Sequence, residues 1–184
     1  MPRTVPSIPP RTIAAGVPRI CPHGLDMAAF EYRQAEEVRE AFQRHGVRYL
    51  FIGKSGAILL GFPDTTQDAD LFIAKDAANG AALVAALHEL GFGLTEAQAS
   101  EIVSGKDFVQ LKNGPFDLDL VFAPDGLKSF EDAFARRIDV DGFPVCHIDD
   151  IIAGKESGKD RESLPRLRAF RDYWKMNHPR GPSH

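Results

Sequence analysis

Residues 47–73 read VRYLFIGKSGAILLGFPDTTQDADLFI. An apolar run passes through Gly53-Lys54-Ser55 into a second apolar run that Gly61 closes, so the stretch has the outline of a strand leading into a helix. The same outline belongs to a nucleotide phosphate loop, and the fold turns on which of the two is present. A phosphate loop needs the pattern G-x-x-x-x-G-K-[ST], whose first glycine and four loop residues let backbone amides wrap the phosphates. Here Arg48 stands at the first glycine's place and Tyr49-Leu50-Phe51-Ile52 fill the loop. Those four residues are strand formers. The stretch therefore reads as a strand at 47–52, a short helix at 55–60, a turn at 62–66 and a second strand at 69–74.

Working outward, the 184-residue chain is the length of one ordinary domain and can bury a core. With 43% hydrophobic and 26% charged residues it has the composition of a water-soluble globular protein, and no apolar run is long enough to read as a membrane span. The net charge of -4 gives no overall basic footprint for nucleic acid. Cys21 and Cys146 lie far apart and outside any CxxC pairing, which argues against a disulfide framework or zinc site and fits a reduced cytoplasm. Residues 1–25 contain six prolines and no apolar signal core, and are expected to form an extended or disordered arm, with Met27 an alternative start. The single domain is expected to span residues 26–178.

Within it, Asp26 is read as the cap of a first helix whose apolar positions Ala35, Val38, Ala41 and Phe42 recur at helical spacing until Gly46. Asp76 caps a helix with Leu83, Val84, Leu87 and Leu90 on its face, and residues 96–104 are ambiguous. Strands at 108–112 and 116–122 flank Asn113-Gly114, a hairpin signal, and a further pair at 138–140 and 143–146 flanks Asp141-Gly142. Two helices close the chain, one from about Asp149 and one carrying Leu164, Leu167, Phe170 and Trp174. The order implies an α+β protein with a mixed sheet of α/β type, flanking helices and a C-terminal helical segment.

The chemistry lies in the acids. In a strand, residues i and i+2 share a face, so Asp68 and Asp70 project together, roughly 7 Å apart along the backbone. Such a pair repels unless a cation lies between, and oxygen ligands suit Mg²⁺ or Mn²⁺. Taken alone, Asp-x-Asp is more often a solvated strand end. In Phe116-Asp117-Leu118-Asp119-Leu120-Val121-Phe122, however, period 2 puts four apolar residues on one face and Asp117, Asp119 and Val121 on the other. This strand can lie beside the Asp68/Asp70 strand and add a third carboxylate. Asp119, farther from the turn, is preferred, with Asp117 the alternative.

These pieces together resemble the nucleotidyltransferase superfamily typified by DNA polymerase β: a hydrophobic strand, a glycine-led helix start, an Asp-x-Asp and a later single Asp. More narrowly, GFPDTTQDADLFI at 61–73 and HIDDIIAGKESGKDRESLPRL at 147–167 look like the small bacterial nucleotidyltransferases related to AbiEii-type and MenT-type toxins. The resemblance implies a metal-dependent transfer of a nucleotide from an NTP to an acceptor hydroxyl, with pyrophosphate released. It implies Asp68, Asp70 and Asp119 as metal ligands and catalytic residues, with Lys155, also catalytic, and Lys159 directed at the triphosphate. Gly53, Lys54 and Ser55 would meet the phosphates by close backbone approach, charge and hydroxyl. Thr66 is grouped with the nucleotide-binding residues, its plainer role being to hydrogen-bond the turn. The chain departs from the pattern at Lys54, where the superfamily has Gly or Ser, and at Asp64, where many relatives carry Arg; Lys54 is expected to replace that basic contact.

The final helix is basic along Arg161, Arg166, Arg168, Arg171 and Lys175, with Arg180 beyond. A charge run of this kind is usually a solvated face, but beside a nucleotide site it can hold an RNA backbone. The acceptor implied is an RNA such as a tRNA 3′ end, the chain then being a toxin with an antitoxin partner. Two other readings stand beside it: a small-molecule acceptor of the antibiotic type, and a non-catalytic nucleotide- or partner-binding module. His45 and His147 have no partner at metal spacing and read as structural.

Overall fold

The computed structural model describes residues 30–112, 114–158 and 161–179. The expected arm at 1–25, the Asp26 cap, Asn113, Lys159 and Arg180 lie outside the described residues. In chain order the elements are α1 (Tyr32–His45), β1 (Tyr49–Ile52), α2 (Gly53–Leu59), β2 (Asp68–Ile73), α3 (Ala77–Glu89), α4 (Glu96–Ser104), β3 (Phe108–Leu111), β4 (Asp117–Val121), α5 (Phe130–Ala135), β5 (Ile138–Val140), β6 (Phe143–Val145), α6 (Ile148–Ser157) and α7 (Leu164–Asn177).

The strands form one mixed sheet in the order β3-β4-β2-β1-β6-β5. β1 runs antiparallel to β2 and parallel to β6, while β2 and β4 are parallel. This is the expected α+β architecture. β1 runs directly into α2 with no intervening loop, so the phosphate-loop alternative for residues 47–55 is excluded. Strand β1 ends at Ile52 because the next residue, Gly53, takes φ +58° and turns the chain into α2.

Helix α1 begins later than the Asp26 cap implies. Glu31 is its N-cap in extended conformation, and a capping box with Gln34 satisfies the first amides of the helix. The interior matches expectation: Ala35, Val38, Ala41 and Phe42 are buried, and Gly46 at φ 68° ends the helix. The Phe42 ring meets Tyr49 edge-on with 4.8 Å between centroids, which places α1 against the Tyr49/Phe51 face of the sheet. Helix α3 is capped by Asp76 as expected and packs against α1 and α4.

The ambiguous segment 96–104 is helix α4, opened by a Thr95–Gln98 capping box. Helix α5 was not expected at all; Ser129 caps it, and its Phe130 covers Phe72 on the opposite sheet face at 5.1 Å. The Asp141-Gly142 hairpin is as read, with φ of 50° and 81° at its two turn residues.

The Asn113-Gly114 signal is misleading in detail. A two-residue turn there would place Gln110 opposite Asp117, but β3 and β4 pair Gln110 with Asp119 and Leu111 with Leu118, across a longer connection. Pro115 supplies the reason: without an N–H it cannot close a tight hairpin against Lys112. This shift of register matters at the site.

Candidate functional site

The parallel β2/β4 ladder pairs Asp68 with Asp117 and Asp70 with Asp119. In-register partners project from the same face of a sheet, so Asp68, Asp70 and Asp119 converge, offering ligand oxygens that all lie within 4.8 Å of one another. The converging third acid is Asp119. Asp117 sits one rung farther out, opposite Asp68.

Each carboxylate is held by its own partner. The Thr66 hydroxyl donates to Asp68 Oδ1 at 2.9 Å, and Gln110 Nε2 donates to Asp119 Oδ1 at 3.0 Å. Gln110 is a residue that sequence reasoning missed, because the tight-hairpin register aims it at Asp117. The Asp70 carboxylate lies against Gly53, where a Cβ would collide with it. The close approach expected at Gly53 is thus made by Asp70 itself.

Ser55 was expected to offer its hydroxyl to phosphate. It is instead fully buried, donating to the Ile52 carbonyl at 3.1 Å and accepting the Asp70 backbone N–H at 3.0 Å. It pins the start of α2 to β2 and so sets where Asp70 stands.

The electrostatics follow from this crowding. Burial, then the charges of Asp68 and Asp119, push the Asp70 carboxyl up to about 7, against the opposing pull of Lys155 and of the Lys54 backbone N–H. Burial also raises Asp119, with the Gln110 hydrogen bond opposing it and Asp68 adding repulsion. Oxygen-only ligands that repel one another are the donor set of a hard divalent cation, so the residues present fit Mg²⁺ or Mn²⁺.

Lys155 lies on α6 and lines, with Asp70 and Gly53, a cavity of ≈ 840 Å³. Lys54 lines a different cavity of ≈ 330 Å³ with Asp64, Glu162, Ser163 and Arg166. The Thr65 N–H first, aided by Lys54 and Arg166, holds the Asp64 carboxyl below the usual range. Arg166 reaches the Gly-Phe-Pro-Asp turn from α7: its Nη1 is 3.1 Å from Asp64 Oδ2, its Nη2 donates to the Pro63 carbonyl at 2.8 Å, and its guanidinium lies over the Phe62 ring. The turn therefore carries a guanidinium, supplied from a distant helix.

Other cations of α7 are also met by acids. Arg168 pairs with Glu156 at 2.6 Å and Lys175 with Asp149 at 2.9 Å, while Arg171 pairs with its neighbour Asp172. On α6, the buried Asp150 takes a bidentate grip from Arg136 at 2.7 and 2.8 Å, anchoring the helix that presents Lys155. His147 accepts the Asp149 N–H at the start of α6 and packs edge-on against Trp174, and His45 pairs with Glu89. Among the described residues, no helix is long and apolar enough to cross a membrane.

Comparison of the chain with protein-family models, with curated proteins and with solved structures gave no match in any of the three.

Proposed function

We propose that this chain is a metal-dependent nucleotidyltransferase that moves a nucleotide from an NTP to an acceptor hydroxyl and releases pyrophosphate. The observation that carries the reading is the in-register placement of Asp70 and Asp119 on adjacent parallel strands, with Asp68 completing a tight carboxylate group. Asp68, Asp70 and Asp119 would hold Mg²⁺ or Mn²⁺, which when bound neutralises charge on the reacting phosphate oxygens and on the attacking and leaving oxygens.

The chain's own residues do the rest. Lys155 brings a cation into the cavity beside Asp70, where the triphosphate would lie. Gly53 lets Asp70 sit close against the backbone, and Ser55 fixes the strand that carries it. Thr66 and Gln110 orient Asp68 and Asp119 so that oxygen atoms face the centre. Asp119, buried on the strand beside Asp70, would either help hold a second metal ion or take the proton of the acceptor hydroxyl.

An RNA end is the acceptor on the first reading, in which the chain acts as a toxin held by an antitoxin. The ion pairs on α7 favour a second, a small hydroxyl-bearing molecule, because Arg166, Arg168 and Lys175 are each already matched by an acid and offer less to a phosphodiester backbone. The deciding experiment incubates the full chain with each labelled NTP and Mg²⁺ or Mn²⁺, with total RNA or with small amino- and hydroxyl-bearing compounds, and measures pyrophosphate. Label on RNA selects the first acceptor, and label on a small compound the second. If no NTP yields pyrophosphate above an Asp70→Asn control under either metal, the transferase reading falls.

A further inference from the structure

The ≈ 840 Å³ cavity beside the carboxylates has a lining of two chemical kinds. Asp70, Lys155, Asp125 and Asp150 supply the charged part, with Gly53 beside Asp70; Phe108, Val121 and Leu127 supply the apolar part. The strand registers explain this division. Gln110, Asp119, Asp70 and Ile52 form one rung across four strands, and Phe108, Val121, Phe72 and Leu50 form the next rung on the same face. Helix α5 buries the middle of that second rung by setting Phe130 on Phe72.

Phe108 is left at the edge strand with 47% of its surface exposed. Of the large apolar side chains exposed among the described residues, it is the one that lies on a strand and lines this cavity. An exposed aromatic on an edge strand is a liability that proteins ordinarily replace with a charge, which makes its presence in a substrate-sized cavity informative. Its backbone stands two strand spacings and one rung from Asp70, about 12 Å away. That separation sets an aromatic side chain apart from Asp70 and Lys155 within one cavity, with Asp68 and Asp119 grouped beside Asp70, as a nucleotide sets its base apart from its phosphates.

We propose that Phe108 is the platform on which the nucleobase of the bound NTP stacks, with the triphosphate directed to Lys155 and the Asp68/Asp70/Asp119 group. The proposal rests on the transferase reading and adds the orientation of the substrate within the cavity. Stacking on a single ring tolerates any base, so Phe108 contributes affinity for nucleotides over bare phosphates and leaves the choice among bases to other contacts.

The test is a titration of the full chain with each Mg²⁺–NTP and, separately, with Mg²⁺–tripolyphosphate, which has the phosphates and no base. Wild type is expected to bind at least one NTP more tightly than tripolyphosphate. Phe108→Ala is expected to weaken NTP binding about 5- to 150-fold, to leave tripolyphosphate binding unchanged, and to be rescued by Phe108→Tyr. Because the ring is half exposed, the variant is expected to melt like wild type. Equal affinities of Phe108→Ala and wild type for NTP overturn the platform while leaving the transferase reading standing, as does equal weakening for NTP and tripolyphosphate. So does a change of oligomeric state in Phe108→Ala without loss of NTP affinity, which would make the ring an edge contact between copies. If wild type binds neither ligand, the transferase reading fails and the platform with it.

Discussion

Asp70 holds its carboxylate against the backbone of Gly53: a Cβ added there would collide with the carboxylate oxygen and lie 2.9 Å from Cγ, while φ at Gly53 is +58°. A side chain is thus opposed twice at one position, by the backbone conformation and by the space. The glycine that suggests a phosphate loop in the sequence serves in the fold to let a carboxylate from the neighbouring strand close over the start of α2.

Gly53→Ala is accordingly expected to cost about 1–2 kcal/mol from the left-handed backbone alone, and to displace Asp70 from Asp68 and Asp119. Thermal melts should show a lowered apo midpoint together with loss of the Mg²⁺–NTP-induced rise. A variant that melts and responds like wild type would show that the contact is dispensable.

Asp70 also makes a prediction in pH. Its folded proton affinity is raised to about 7, chiefly by burial and then by Asp68 and Asp119, against about 3.9 in the unfolded chain. A carboxyl raised on folding contributes stability that is fully present below about pH 4 and is lost as pH rises through about 7. In metal-free buffer, the stability of Asp70→Asn relative to wild type should therefore climb between these limits, by at most about 1.4 kcal/mol per unit. Denaturant unfolding at several pH values with a chelator checks this, and a difference that stays flat from pH 4.5 to 8 removes the repulsion argument. Saturating Mg²⁺ should reduce or reverse the advantage of the variant.

Ser55→Ala separates a structural hydroxyl from a phosphate-binding one. The buried Oγ serves both the Ile52 carbonyl and the Asp70 N–H, and removing it leaves that N–H unsatisfied at a cost of about 1–3 kcal/mol. The expected result is a lower unfolding midpoint, with tripolyphosphate affinity falling only as far as Asp70 is misplaced. Wild-type stability with strongly weakened tripolyphosphate binding would return Ser55 to the phosphate.

The parts of this site that could be read in advance are those encoded within a few residues. Asp68 and Asp70 share a face by strand period, the acid face of residues 116–122 follows from the same period, and Asp76 and Gly46 mark helix ends by their own chemistry. What escaped depends on pairing between distant segments. Gln110 reaches Asp119 only because Pro115 prevents a tight turn, and Arg136 reaches Asp150 across a strand pair. The basic stripe of α7 is visible as a run, whereas the acids that neutralise it, Asp64, Asp149 and Glu156, come from other elements. Helix α5 has six residues, too few for an apolar period to show, and its cap Ser129 with Glu131 and Asp132 is the signal that was there to be used.

Asp119 supplies the last prediction, which needs neither an acceptor nor activity. Its carboxylate is buried, raised in proton affinity by that burial and by Asp68, and held by Gln110. Asp119→Asn keeps an oxygen able to accept the Gln110 hydrogen bond and removes the charge, so at neutral pH without metal it relieves repulsion without breaking the contact. The apo melting temperature should rise or stay level. Ligand stabilisation should move the other way, because the repulsion and the affinity for a divalent cation have one origin. Wild type with Mg²⁺ and an NTP at about a hundred times the dissociation constant should gain roughly 2.7 kcal/mol, more than with either alone, and Asp119→Asn should lose most of that gain. Asp117→Asn serves as the control on the same strand: it lies opposite Asp68, outside the converging group, and should keep most of the response. If Asp119→Asn instead melts well below wild type and retains the full Mg²⁺–NTP response, its role is to support β4, and the metal site must be built without it.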